Sequence, residues 1–386
     1  MVNKANIRLS YCGDLILLKD QVADGHVSEG GRYNFDKTLA NVKGVLVQSD
    51  LSIGVCEGPF ASEAAGYSNT NLHDGKKISL NFPDEFATAI AKAGINLVTI
   101  SNNHILDKGI EGALRTREVL ASASIRSVGF FADDREYDQV KIFDVKGLKV
   151  AVLAYTYGCN YRESEDLLDE RHVKVLLPKH HARFAEAQKI VLDDMQRARE
   201  QGADFVVVLP HIGTEFVHFP DCQQRFWCKF FVKHGADLVL CAHSHNTQPI
   251  VWYGKSVVVY SPGNLINSFT ERDVDAGMIV TIDVDVGRKR IARVAYSPTI
   301  CRRVGGNFVA VPVFNLKSSS DKRVDEVSRI VTRSVCGTEV SLDAAKEFYP
   351  VSRQRLWHFN DVVEKSVARG LHLFHRCGLF LKGGQT

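Results

Sequence analysis

The chain has 386 residues, and a prior of roughly 100–200 residues per domain gives two or three domains, or one large domain with an appendage. Hydrophobic residues make up 45% and charged residues 24%, a globular balance that excludes a disordered, collagenous or coiled-coil chain. Forty-eight Lys plus Arg against 45 Asp plus Glu leaves a formal charge of +3, too weak a field to indicate nucleic acid or an anionic membrane as partner.

The nine cysteines, at 12, 56, 159, 222, 228, 241, 301, 336 and 377, contain no C-x-x-C pair. That scatter fits neither a disulfide framework nor a zinc ribbon and points to a reducing compartment. The opening residues, MVNKANIRLSYCGDLILLKD, lack the apolar core and cleavage site of a signal peptide, and no run of 18 apolar residues occurs. A cytoplasmic protein without a transmembrane segment is the expectation.

In chain order, Ile7 to Leu18 reads as a buried strand interrupted by Gly13-Asp14. Phe35, Leu39, Val42 and Leu46 have helical spacing over residues 34–47. Ser49 to Pro59 reads as a second buried strand ending at Glu57-Gly58-Pro59, and residues 61–78 as a long polar loop. Pro83 opens a helix through Ala93. The strand INLVTIS, the triplet Asn102-Asn103-His104 and a helix over 110–122 follow. The alternation continues with VGFFA, a hairpin about Lys146-Gly147, a helix over 182–201, a strand over 203–213, a helix near 221–234, and strands at 236–245 and 256–264. Strands alternating with helices predict layered α/β sheets flanked by helices. From Asp273 two strand-like runs, GMIVTIDVDV and IARVAYSPTI, predict an antiparallel hairpin that closes a domain of residues 1–306. Residues 307–386 read as a helical C-terminal extension, with helices near 322–335, 341–348 and 359–376.

Several predicted strands stop at residues of acid/base or metal-ligand type. In an open α/β sheet the carboxyl ends of the strands form one ligand-binding edge, so clusters distant in sequence converge there. These clusters are Asp14, Glu57, Asn102-Asn103-His104 with Asp107, His211 with Glu215, the pair His243-x-His245, and Asn264. Imidazole is the commonest metal ligand, and His243 and His245 both reach one ion if the strand stops extending there. Glu57 directly follows an apolar run, where a carboxylate is costly unless exposed, paired or metal-bound. His104, with Asp107 three residues on, has the makings of a proton donor held by a carboxylate. Cys12, Cys56 and Cys241 lie within apolar runs as small buried hydrophobes.

The ordered series GD, Glu after a strand, NNHxxDxG, HxGxE, AHxHxxQP and Gly-Asn resembles the CapA family of capsule or poly-γ-glutamate synthesis proteins, over about residues 7–270. That family is similar to the calcineurin-like metallophosphoesterases. The resemblance implies a metallophosphoesterase-like α/β fold and a site for one or two divalent ions, Mn, Fe or Zn. Asp14 and His245 would serve one ion, and Asn103, His211 and His243 the other, with Glu57 between them. His104 would be the proton donor oriented by Asp107, with Glu215 a further catalytic group of the pocket, and Asn102 and Asn264 would bind substrate. The superfamily's opening Asp-x-His departs here to Asp14-Leu15-Ile16, and Val55-Cys56 precedes Glu57 where CapA-like chains carry Asn-Leu.

Three expectations follow. The chain is a metal-dependent hydrolase of phosphoester or amide bonds acting on a small molecule, peptide or polyglutamate. Alternatively it is a metal-free peptide epimerase using the same pocket, or a non-catalytic subunit that binds polymer-synthesis proteins.

Overall fold

The computed structural model describes residues 6–27, 32–316, 321–336 and 349–351. Fifteen strands form two sheets. In chain order they are β1 Asn6–Leu15, β2 Leu51–Cys56, β3 Leu97–Thr99, β4 Arg126–Val128, β5 Lys141–Val145, β6 Leu148–Thr156, β7 Phe205–His211 and β8 Leu238–Leu240. They continue with β9 Ile250–Tyr253, β10 Ser256–Val259, β11 Asn264–Ile266, β12 Ala276–Asp285, β13 Arg290–Val304, β14 Asn307–Pro312 and β15 Tyr349–Pro350. The first sheet runs β14-β13-β12-β1-β2-β3-β4, with β11 beside β1 and β15 beside β13; the second runs β5-β6-β7-β8-β10-β9.

Strands β1 to β4 are parallel to one another, as are β6, β7, β8 and β10, and antiparallel strands continue each sheet outward. The side-chain period of two explains the packing. Ile7, Leu9 and Tyr11 of the first sheet share one core with Val150, Val152 and Ala154 of the second, along with Val207 and Leu209. Alternate residues point the other way, toward flanking helices. Tyr155 stacks on Phe231 of the helix Cys222–Lys233, ring centroids 5.3 Å apart, and Trp227 of that helix is fully buried. Burying such a side chain contributes about 1.5–3 kcal/mol.

Three local expectations change. Over 34–47 Phe35, Leu39, Val42 and Leu46 are buried as their spacing implies, but only Ala40–Val42 (3-10) and Lys43–Leu46 are helical. Asn34 Oδ1 accepts from the backbone N–H of Asp36 at 2.8 Å, and this side-chain bond competes with helix initiation. The strand placed at VGFFA lies earlier, at β4. It ends at Gly129, whose φ of +99° and 2.5 Å approach of a would-be Cβ to Ser101 Cβ admit only glycine. The run 256–264 is not one strand. β10 belongs to the second sheet and β11 to the first, so Ser261-Pro262-Gly263 carries the chain between sheets.

Beyond residue 306, Asn307–Pro312 forms β14 against β13, and the helix near 322–335 is Lys322–Cys336. The latter buries Val324, Val327, Val331 and Val335 in the common core. The helices expected near 341–348 and 359–376 lie outside the described residues. All described residues fall in one unit, 1–351. Among them no helix is long and apolar enough to cross a membrane.

Candidate metal centre and proton-donor dyad

Asp14 is the penultimate residue of β1 and pairs in register with Asn264 of β11. Glu57 follows β2, His211 ends β7, and His243 and His245 follow β8. Neither histidine continues the strand: their φ values are +97° and +57°, a backbone conformation costly for residues with a Cβ. This turn brings both rings of the H-x-H pair to one place, with centroids 6.1 Å apart.

Three overlapping groups result, each with its donor atoms within 4.8 Å of one another: Asp14, Glu57 and His245; Glu57, His211 and His243; and Glu215, His243 and His245. Glu57 is common to the first two. Its Oε1 lies 3.3 Å from His211 Nε2 and 3.9 Å from His245 Nε2. His211 Nε2 is also 3.0 Å from Asn103 Oδ1. His245 Nδ1 lies 3.0 Å from Asn264 Oδ1 and 3.3 Å from Asp14 Oδ2. With the Nδ1 proton toward those acceptors, Nε2 is the ring nitrogen that could take a cation once its own proton has left.

The electrostatics ask for positive charge at this point. Asp14 and Glu57 are fully buried, and none of their four oxygens has a hydrogen-bond partner. A buried carboxylate without partners is costly. Burial and the neighbouring Glu57 charge push the Asp14 carboxyl up. Burial would raise Glu57 as well, but the charges of His245 and His211 hold it down to about 2. Burial alone would lower His245, yet Glu57 and Asp14 push it up to about 10, whereas burial and the neighbouring His211 push His243 well down. Orphaned anionic oxygens, an unpartnered His243 Nδ1 and a nitrogen–oxygen donor set fit divalent cations.

Beside this centre stands a dyad. His104 Nδ1 donates to Asp107 Oδ2 at 2.7 Å, and the same oxygen accepts the Leu80 N–H at 2.7 Å. Burial lowers the His104 pKa, but the Asp107 charge and hydrogen bond prevail and raise it. Asn102 does not face the pocket with its amide. It donates to Cys56 O and accepts from the His104 N–H, fastening the loop after β3 to the end of β2. Glu215 stands at the rim, 42% exposed, with Oε1 3.9 Å from His243 Nε2. Asn264 serves as the partner of His245.

Four pocket residues carried no motif signal. The Tyr157 ring sits 4.5 Å from His243, Asn160 Nδ2 lies 3.4 Å from His104 Nδ1, and Phe216 and Phe269 pack on His245 at 5.5 and 4.9 Å. Tyr157 directly follows β6, so extending the strand-end criterion to aromatic residues finds it.

Two mixed sheets packed face to face, with buried carboxylates and imidazoles converging from their strand ends, define a layered α/β protein with a metal-type pocket. Residues 8–268 match the family described as Bacterial capsule synthesis protein PGA_cap. The chain belongs to that family, the CapA family, and its fold is consistent with the calcineurin-like superfamily. It is 26% identical to the Capsule biosynthesis protein CapA of Bacillus anthracis over 257 residues, 65% of this chain and 59% of that protein. It is 24% identical to the PGA biosynthesis protein CapA of Bacillus subtilis (strain 168) over 233 residues, 60% and 57% of the two chains. A Probable polyglutamine synthesis accessory protein of Mycobacterium tuberculosis is 23% identical over 199 residues, 51% of each chain. The matched regions therefore span less than two thirds of these relatives.

Proposed function

We propose that the chain is a metal-dependent hydrolase of an amide or phosphoester bond in polyglutamate or capsule polymer metabolism, the process for which its relatives are named. The observation that carries this reading is the pair of fully buried, hydrogen-bond-free carboxylates Asp14 and Glu57 within reach of three imidazoles. Asp14, Glu57 and His245 would hold one cation, and Glu57, His211, His243 and Asn103 a second. Bound there, divalent ions supply Lewis acidity and an activated water. The chain's own contribution is positional: Asn264 fixes the His245 ring, and Phe216 and Phe269 shield His245 from solvent. His104 would deliver a proton to the leaving atom, held by Asp107 in the tautomer with Nδ1–H toward the carboxylate.

The test is metal analysis of the full chain purified without chelators, together with hydrolysis of γ-glutamyl peptides and of a generic phosphodiester. At least one divalent ion per chain and chelator-sensitive turnover are expected, with His211→Ala losing turnover and lowering the metal content. A metal-free chain whose turnover survives chelator overturns the reading. Solvent deuterium then entering a peptide substrate would mark an epimerase, and absence of turnover with retained polymer binding a binding subunit.

A further inference from the structure

The family match ends at residue 268, yet the segment beyond it reaches back to the pocket. His218 lies in the loop after β7, three residues beyond Glu215. Its Nδ1 is 3.1 Å from Thr247 O and 3.3 Å from Ser334 Oγ, and its Nε2 is 2.9 Å from Asn246 Nδ2. The ring is held between the Thr247 carbonyl at Nδ1 and, at Nε2, the Asn246 amide and the Asp273 carboxylate, whose Oδ2 lies 3.3 Å away. Asn246 and Thr247 directly follow His245 and are fully buried. Ser334 belongs to the helix Lys322–Cys336, and its Oγ also accepts from Thr247 Oγ1 at 3.1 Å.

A second path runs from the same helix. Arg323 Nε donates to Asp275 Oδ2 at 2.9 Å, and its guanidinium reaches Asp273 Oδ1 at 3.2 Å. Between those aspartates, the Val274 carbonyl accepts from Asn264 Nδ2 at 3.2 Å, and Asn264 Oδ1 receives His245 Nδ1. Both paths end on the segment that holds His243 and His245 at positive φ, a conformation that persists only where its surroundings impose it.

We infer that His218, Ser334 and Arg323 are positioning residues, through which the helix Lys322–Cys336 sets the placement of the His243 and His245 rings. This deepens the metal reading without depending on it. Ring atoms are followed directly by NMR of the full chain with isotope-labelled histidine, and metal affinity by Co²⁺ titration with its visible absorption. In His218→Ala the His243 and His245 ring signals should move, and Co²⁺ affinity should fall about 10- to 100-fold, the usual cost of losing a group that orients a ligand. Ser334→Ala and Arg323→Ala should move the same signals less, and they decide the matter should His218→Ala fail to fold. Val191→Ala, a fully buried change in the helix Phe184–Glu200, is the control: it should lower the melting temperature and leave both signals in place. Unmoved His243 and His245 signals in the Ser334 and Arg323 variants overturn the inference. Signals that move in a chain that takes up no Co²⁺ uphold it and remove the metal reading instead.

Discussion

Replacing Asp107 by Asn tests the dyad without emptying the pocket. The carboxylate is fully buried and accepts both the His104 Nδ1–H and the Leu80 N–H through Oδ2 at 2.7 Å. Asn retains an acceptor there but removes the charge. A hydrogen bond to a charged group contributes about 1.5–3 kcal/mol and a neutral one about 0.5–1.5, so the exchange loses about 1–2 kcal/mol. That loss is a factor of about 5–30 in the proton-binding constant of His104. The sign follows from the raised His104 pKa: its stabilisation is complete below the unfolded histidine value and is lost as pH rises through the folded one. Asp107→Asn should therefore shift the His104 NMR titration to lower pH. Urea unfolding should show it less stable than wild type at acidic pH, with the gap narrowing as pH rises. A His104 titration unchanged by Asp107→Asn would refute the assignment of Asp107 as the group that raises this imidazole's pKa.

Further changes have equally definite outcomes. Gly13→Ala would set a Cβ 1.6 Å from Gly263 O, beside Asp14, and should cost about 3 kcal/mol or more; an unaltered thermal midpoint would contradict the close β1–β11 approach. Asp194→Ala would strand Lys174, buried with its Nζ 2.6 Å from Asp194 Oδ1, and should cost about 3–5 kcal/mol in urea unfolding. The double variant Lys174→Met, Asp194→Leu should recover only part of that loss, because the buried Tyr155 hydroxyl, which donates to Asp194 Oδ2 at 2.8 Å, lacks its acceptor in both; equal losses in the two would dismiss the buried pair. Because His245 stands at about 10 while the site is metal-free, ligation requires its proton to leave. Divalent-ion binding at pH 7 should accordingly release about one proton, read as a buffer-dependent enthalpy in calorimetry; a buffer-independent enthalpy would show that His245 is not a ligand.

Much of this arrangement was legible in the sequence because two simple periodicities control it. Alternating apolar residues, as in Ile7, Leu9 and Tyr11, mark strands with one face in the core, and functional groups at strand ends converge because parallel strands share a carboxyl edge. That reasoning placed Asp14, Glu57, Asn103, His211, His243 and His245 together before any coordinates. It failed where local pattern and tertiary contact disagree. Nothing local in SVVVYSPGN reports that the chain leaves one sheet at Val259 and joins the other at Asn264, because the cause is a backbone approach between Gly13 and Gly263 across 250 residues. Asn102 looked like a pocket residue because it adjoins Asn103, yet its amide is consumed by Cys56 O and the His104 N–H. His218 had no motif about it, and its contacts with Asn246, Thr247 and Ser334 exist only in the folded chain.

The same contrast bears on the departure from Asp-x-His. In this chain the position two residues after Asp14 is Ile16, buried beside the pocket's first strand, so no imidazole comes from β1. The imidazole beside Asp14 is that of His245, from the opposite sheet: its Nδ1 lies 3.3 Å from Asp14 and its Nε2 3.9 Å from Glu57, the ring lying between the two buried carboxylates. A protonated His245 balances one of those charges. Under the proposed function, the carboxylate oxygens and the ring nitrogen would hold a divalent ion, which would supply more positive charge than the imidazolium. A cation at Asp14 and Glu57 would therefore depend on a single imidazole, and that imidazole is held by Asn264 and by a loop braced from outside the family-matched segment. Loosening the brace should accordingly weaken this position before the second, where His211 and His243 provide two rings.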